Sequence, residues 1–108
     1  MLNSVRWIVR DRDGNEVYLT QERWDHIIRP AGHPELVEYE EELKETIRRG
    51  TRKQDIINPQ KYRYMRAFNN LTDTNTHIVA IVLNRFKYES GKVTPNNYIV
   101  TAYQIEKE

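Results

Sequence analysis

The chain has 108 residues, 38% of them hydrophobic and 31% charged, so it suits one globular domain over residues 1–108 and is too short for two of ordinary size. The absence of cysteine excludes disulfides, thiolate nucleophiles and sulfur-ligated metal centres, and no run approaches the roughly 18 apolar residues of a membrane span. Net charge is only +1, yet residues 1–47 carry 6 Lys or Arg against 11 Asp or Glu and residues 48–108 carry 11 against 5; this dipole either draws polyanions such as RNA to the basic half or decorates two solvated faces.

From the N-terminus, Val5, Trp7 and Val9 alternate with Arg6 and Arg10 as in a half-buried strand, and Asp13-Gly14-Asn15 turns into a short second strand over residues 16–19. Thr20 can cap a helix over about residues 21–29. On its wheel Trp24, Ile27 and Ile28 form an apolar stripe, whereas His26 projects to roughly the opposite side, toward solvent or a ligand. Pro30, Gly32 and Pro34 interrupt the chain, and a second helix is expected over residues 34–49 with Pro34 in its first turn. Leu36, Leu43 and Ile47 supply its apolar stripe, its glutamates read as a solvated face rather than a metal site, and Gly50 stands where a C-terminal glycine cap belongs.

Beyond Gly50 the period becomes strand-like. Strands are expected over residues 55–58, 62–68, 77–87 and 98–105, with a polar loop over 69–75 and a connection of about ten residues through Ser90-Gly91-Lys92 and Pro95-Asn96-Asn97. Both faces of Ile78-Val79-Ala80-Ile81-Val82-Leu83 are apolar, as in a covered central strand. The expected fold is α+β: an N-terminal hairpin and two helices packed on one face of a curved antiparallel sheet of about four strands. Tyr62, Tyr64 and Arg66 share one side of their strand, and Arg63 and Met65 share the other. Together with Lys61 and a flanking Arg52 or Lys53, they offer either an aromatic, basic surface for nucleic acid or ordinary packing tyrosines.

There is no phosphate-binding glycine loop, dinucleotide fingerprint, HExxH or GxSxG motif, and His26, His33 and His77 match no common ligand spacing, so neither cofactor nor metal is expected. Acid–base chemistry remains. His26 is the first candidate. His33, ahead of a helix whose positive end would favour the neutral base, is the second, with a capping or loop role as its alternative; His77 marks the solvent end of the central strand.

The pattern Leu19-Thr20-Gln21-Glu22-Arg23-Trp24-Asp25-His26-Ile27, then His33-Pro34-Glu35, a helix, Tyr62-Arg63-Tyr64 and a terminal Val100-Thr101-Ala102-Tyr103 resembles the phage-type members of the barnase, EndoU, colicin-nuclease and RelE-like ribonuclease superfamily. It is similar, more distantly, to BrnT-type toxins. The resemblance implies a small domain that cleaves RNA by metal-independent transesterification, often as a toxin with a cognate antitoxin or other protein partner; a cytoplasmic location is expected separately, from the lack of a membrane span and of a secretory signal pattern. By position it implies His26, Arg63, Arg66 and Thr101 as catalytic residues, and Lys61, Tyr62, Tyr64 and Tyr103 as substrate-binding residues. The alternative is an inactive module of the same fold that binds RNA or protein.

Overall fold

The computed structural model describes residues 4–108, in which β1 (Val5–Arg10) and β2 (Glu16–Thr20) form the N-terminal hairpin. Its turn is organised by Asp11, whose carboxylate accepts hydrogen bonds from the amides of Asp13 and Asn15 and from the Asn15 side chain, while Gly14 takes φ +86°. β2 runs directly into α1 (Gln21–Ile28), and Thr20 Oγ1 caps it by accepting from the Arg23 amide at 3.0 Å.

The single helix expected over residues 34–49 is divided. Pro34–Glu38 is a 3-10 turn, Tyr39 leaves helical geometry at φ −124° and ψ 29°, and α2 spans Glu40–Arg49. Glu40 explains where α2 starts: its carboxylate accepts from the Arg6 guanidinium and, at 2.8 Å, from Trp7 Nε1, tying the first turn to the hairpin. Gly50 ends α2 without the left-handed cap that the sequence suggested. Its φ is −69°, and glycine is required there because a Cβ would lie 2.3 Å from Thr46 O and 2.8 Å from Met65 O.

Four further strands follow: β3 (Thr51–Gln54), β4 (Lys61–Ala67), β5 (His77–Glu89) and β6 (Lys92–Ile105). The first begins earlier than the strand expected at 55–58. Asp55 instead holds a turn by accepting from the amides of Ile57 and Asn58. The roughly ten-residue connection expected before the last strand is a tight turn, Ser90 (φ +52°) and Gly91 (φ +77°), so β6 runs through Pro95. Proline is tolerated because β6 gains its second neighbour, β2, only at Asn97.

The sheet therefore has six strands rather than about four, in the order β1-β2-β6-β5-β4-β3, and it is mixed and open because β2 pairs parallel to β6. Ile78, Ala80 and Val82 of β5 point to the side where Leu43 and Ile47 of α2 and Trp24 and Ile27 of α1 are buried. The opposite, open side carries the alternate residues of β3 to β6. No helix among the described residues is long and apolar enough to cross a membrane.

Candidate nucleic-acid interface

Strand registers sort the residues named above onto two faces. Arg63 pairs with Lys53 of β3 and with Ile81 of β5, and Ile81 pairs with Thr101, so Lys53, Arg63, Ile81 and Thr101 form one row across the open face. At about 4.8 Å between strands, the Arg63 and Thr101 backbones stand about 10 Å apart, within reach of an extended guanidinium. The next row is Thr51, Met65, Val79 and Tyr103, and the row on the other side holds Lys61, Leu83 and Tyr98. A bulge at Val100, between Thr101 and Ile99, breaks the β5–β6 register beside this site and lets Ile99 and Ala102 both face the core.

Lys53, Lys61 and Arg63 line a depression of about 290 Å³ with Ile81 and Tyr103. None of the three cations forms a salt bridge among the described residues. One carboxylate, Asp55, also lines the depression but is turned to its own loop: the amide hydrogen bond from Asn58, with that from Ile57 and the charge of Lys61, holds it below the usual carboxylate range against an opposing desolvation. The depression thus presents three cations against one carboxylate that is engaged by its own loop, an excess of positive charge of the kind that draws phosphates.

Histidine enters from the other edge. The His33 ring lies 5.7 Å from the Tyr103 ring, and its Nδ1 is 3.8 Å from Glu35 Oε1. The loop carrying it folds back onto the last turn of α1: the His33 amide donates to Ile27 O at 2.6 Å, and a Cβ at Gly32 would lie 3.1 Å from His26 O. His33 precedes only a five-residue 3-10 turn, so the helix-dipole effect expected of a long second helix has no basis there. His26 is exposed in the last turn of α1 and makes no hydrogen bond with the β4 or β6 residues. It follows Glu22 and Arg23 by four and three residues, which puts all three on one side of the helix. Glu22 and Arg23 line a depression with Tyr18 and Tyr98, and His26 follows them one turn further along the same side of α1.

The other five residues separate. Lys61 and Tyr103 share the open face with Arg63 and Thr101, but Tyr62, Tyr64 and Arg66 lie on the helix side, where they cannot meet the same ligand. Tyr64 is wholly buried; its hydroxyl donates to Asp11 Oδ2 at 2.6 Å and accepts from Arg52 Nε at 3.0 Å. Burial and this bond to Asp11 push the phenol well above its ordinary range, as befits an anchor rather than a binding residue. The Tyr62 ring is covered by the Arg52 guanidinium at 3.7 Å, and Arg66 lies over Phe68 at 5.0 Å. Substrate-binding roles for Tyr62 and Tyr64, and a place for Arg66 beside Arg63 and Thr101, are therefore withdrawn. Lys53 takes the position assigned to Arg66; strand alternation from Arg63 across β3 was the signal, hidden because β3 was expected four residues later. No family profile, curated protein or solved structure matches this chain.

Proposed function

We propose that the open sheet face binds RNA and cleaves it by metal-independent transesterification, with His26 and His33 exchanging protons. Lys53, Lys61 and Arg63 carry this reading: three cations without a salt bridge around one depression, whose single carboxylate, Asp55, is held by its own loop, beside the paired rings of His33 and Tyr103. A neutral histidine takes the 2′-hydroxyl proton as the 2′-oxygen attacks phosphorus. The phosphorus–O5′ bond breaks, and the second histidine, protonated, delivers its proton to the leaving 5′-oxygen, giving a 2′,3′-cyclic phosphate and a 5′-hydroxyl. Arg63, supported by Lys53 and Lys61, balances the extra charge of the phosphorane, and the Thr101 hydroxyl donates to a phosphate oxygen.

Cleavage of a fluorescent single-stranded RNA in EDTA tests this. Wild-type protein should cleave it with a bell-shaped pH dependence. His33→Ala and His26→Ala should each lower the rate about 100-fold or more, whereas Arg66→Ala, on the other face, should lower it less than about threefold. Binding of an uncleavable 2′-O-methyl strand without any cleavage of the RNA would replace the enzyme by a binding module. Equal losses for Arg63→Ala and Arg66→Ala would remove the open face as the site.

A further inference from the structure

The hairpin between β5 and β6 extends well past the rest of the sheet. β4 stops pairing with β5 at Leu83 and β2 stops pairing with β6 at Asn97, so residues 84–96 form a two-stranded ribbon with no third strand on either side. Six residues of β5 in it project about 20 Å at 3.3 Å per residue.

The ribbon is two-sided. Arg85, Lys87 and Glu89 continue the alternation of Ile81 and Leu83, and Lys92 pairs with Glu89, so these charges belong to the open face. Phe86 and Tyr88, paired with Pro95 and Val93, occupy the other side and are 71% and 76% exposed. Lys87 and Glu89 border a concavity with Ile8, Glu16 and Tyr18 of the N-terminal hairpin, so the ribbon's charged residues adjoin the open face there. Arg85 and Lys92 make no salt bridge among the described residues, and Lys87 has only Glu89, at 3.8 Å.

Between these cations and Lys61 lies an aromatic step. Tyr98 pairs across the strand with Leu83, itself opposite Lys61, and its ring stands 5.9 Å from that of Tyr18. The Tyr18 hydroxyl is held by Asn96 Oδ1 at 2.8 Å. From the ribbon inward the open face therefore reads cation, tyrosine pair, cation, histidine, over about 26 Å counted along eight residues of β5. Alternating cations and half-buried rings match a polynucleotide whose bases are unstacked and can reach the open edge of the tyrosine pair; a duplex hides its base faces and offers little to the tyrosines.

We propose that the β5–β6 ribbon is a second anchor for the substrate, that the ligand is single-stranded RNA, and that the strand runs from Arg85, Lys87 and Lys92 across Tyr18 and Tyr98 to Arg63. This rests on the reading of the open face as the RNA site, and adds to it a strand length and a preference for unpaired RNA. Short oligonucleotides fill only the inner part. Longer ones also gain the ribbon.

Affinities of uncleavable 2′-O-methyl strands of about 3 and about 12 nucleotides, and of a 12-base-pair duplex, test the proposal alongside cleavage of a dinucleotide. The triple variant Arg85→Gln, Lys87→Gln, Lys92→Gln changes only exposed side chains. It should weaken binding of the longer strand about 10- to 100-fold at 0.1 M salt and make its log–log salt dependence shallower by about 2, from roughly 0.7 per phosphate contact. Binding of the short strand should change less than about twofold. Phe86→Ser with Tyr88→Ser, on the far side, should leave both affinities in place. An unchanged affinity of the triple variant for the longer strand, or a duplex bound as tightly as the single strand, overturns the proposal. Dinucleotide cleavage with no ribbon effect would sink the anchor and keep the catalytic site; a ribbon effect without any cleavage would do the reverse.

Discussion

Replacing Tyr64 by phenylalanine should destabilise the protein without touching RNA binding. The Tyr64 ring is fully buried and the Asp11 side chain is 1% exposed, so Tyr64→Phe opens no cavity but removes the 2.6 Å hydrogen bond to a buried carboxylate and the acceptor of Arg52 Nε. A hydrogen bond to a charged group contributes about 1.5–3 kcal/mol. Asp11 keeps its donors from Asp13 and Asn15, so the middle of that range, about 2 kcal/mol, is expected, a loss of roughly 8–16 °C in Tm for a domain of this size. The effect should depend on pH in a fixed direction. Burial acts to raise the Asp11 carboxyl, but hydrogen bonds from Tyr64 and Asn15, then the amides of Asn15 and Asp13, outweigh it and hold it below the usual carboxylate range. A carboxyl so depressed adds stability that is fully present above its unfolded pKa and is lost as pH falls from about 4 toward the folded value. Urea denaturation of wild type and Tyr64→Phe should therefore show the full difference at pH 7 and a smaller one near pH 3. A difference below about 0.5 kcal/mol at pH 7, or the same difference at both pH values, would refute the coupling. Affinity for single-stranded RNA should be equal in the two proteins at pH 7.

Two further substitutions test packing and charge. Gly50→Ala must push backbone oxygens of Thr46 and Met65 apart and should cost about 1–3 kcal/mol in urea denaturation, though the backbone at this glycine is ordinary extended chain. Lys53→Glu, which sets an acid directly opposite Arg63, should raise stability by a few tenths of a kcal/mol while weakening RNA binding at least tenfold; a protein both less stable and unimpaired in binding would contradict the role given to this pair.

Where local chemistry decides the backbone, the sequence was readable. Thr20 capped α1, the apolar run of residues 78–83 made β5, and alternation in β4 correctly divided Arg63 from Tyr62, Tyr64 and Arg66. Alternation says which residues share a face and not which face is covered, and so Tyr64 passed for a binding residue until its partner Asp11, 53 residues away, was located. Long-range pairing was equally hidden. The parallel match of β2 with β6 involves only Val17 with Asn97 and Tyr18 with Tyr98, and Pro95 reads as a loop residue until β6 is known to be an edge at that point. The division of the second helix depends on Arg6 and Trp7 holding Glu40, which no helical periodicity contains. The surroundings of His33 were hidden for the same reason, because only the return of its loop onto Ile27 O brings the ring to Tyr103.

β4 shows how packing and unpaired charge are kept apart in so small a domain. Its helix-side residues are committed: Tyr64 to Asp11, Tyr62 to Arg52, Arg66 to Phe68. Its open-side residues are left uncommitted, and Lys53 and Arg63 even stand directly opposite each other, a like-charge pair that disfavours the folded sheet. The fold pairs carboxylates with cations elsewhere, at Glu40 for Arg6 and at Glu45 for Arg48 and Arg49, whereas Asp55, the carboxylate in the depression with Arg63, is spent on the amides of its own loop. A face that serves only to pack would gain by pairing those charges. An external anion would relieve that repulsion, which is what the proposed RNA site requires of Lys53 and Arg63.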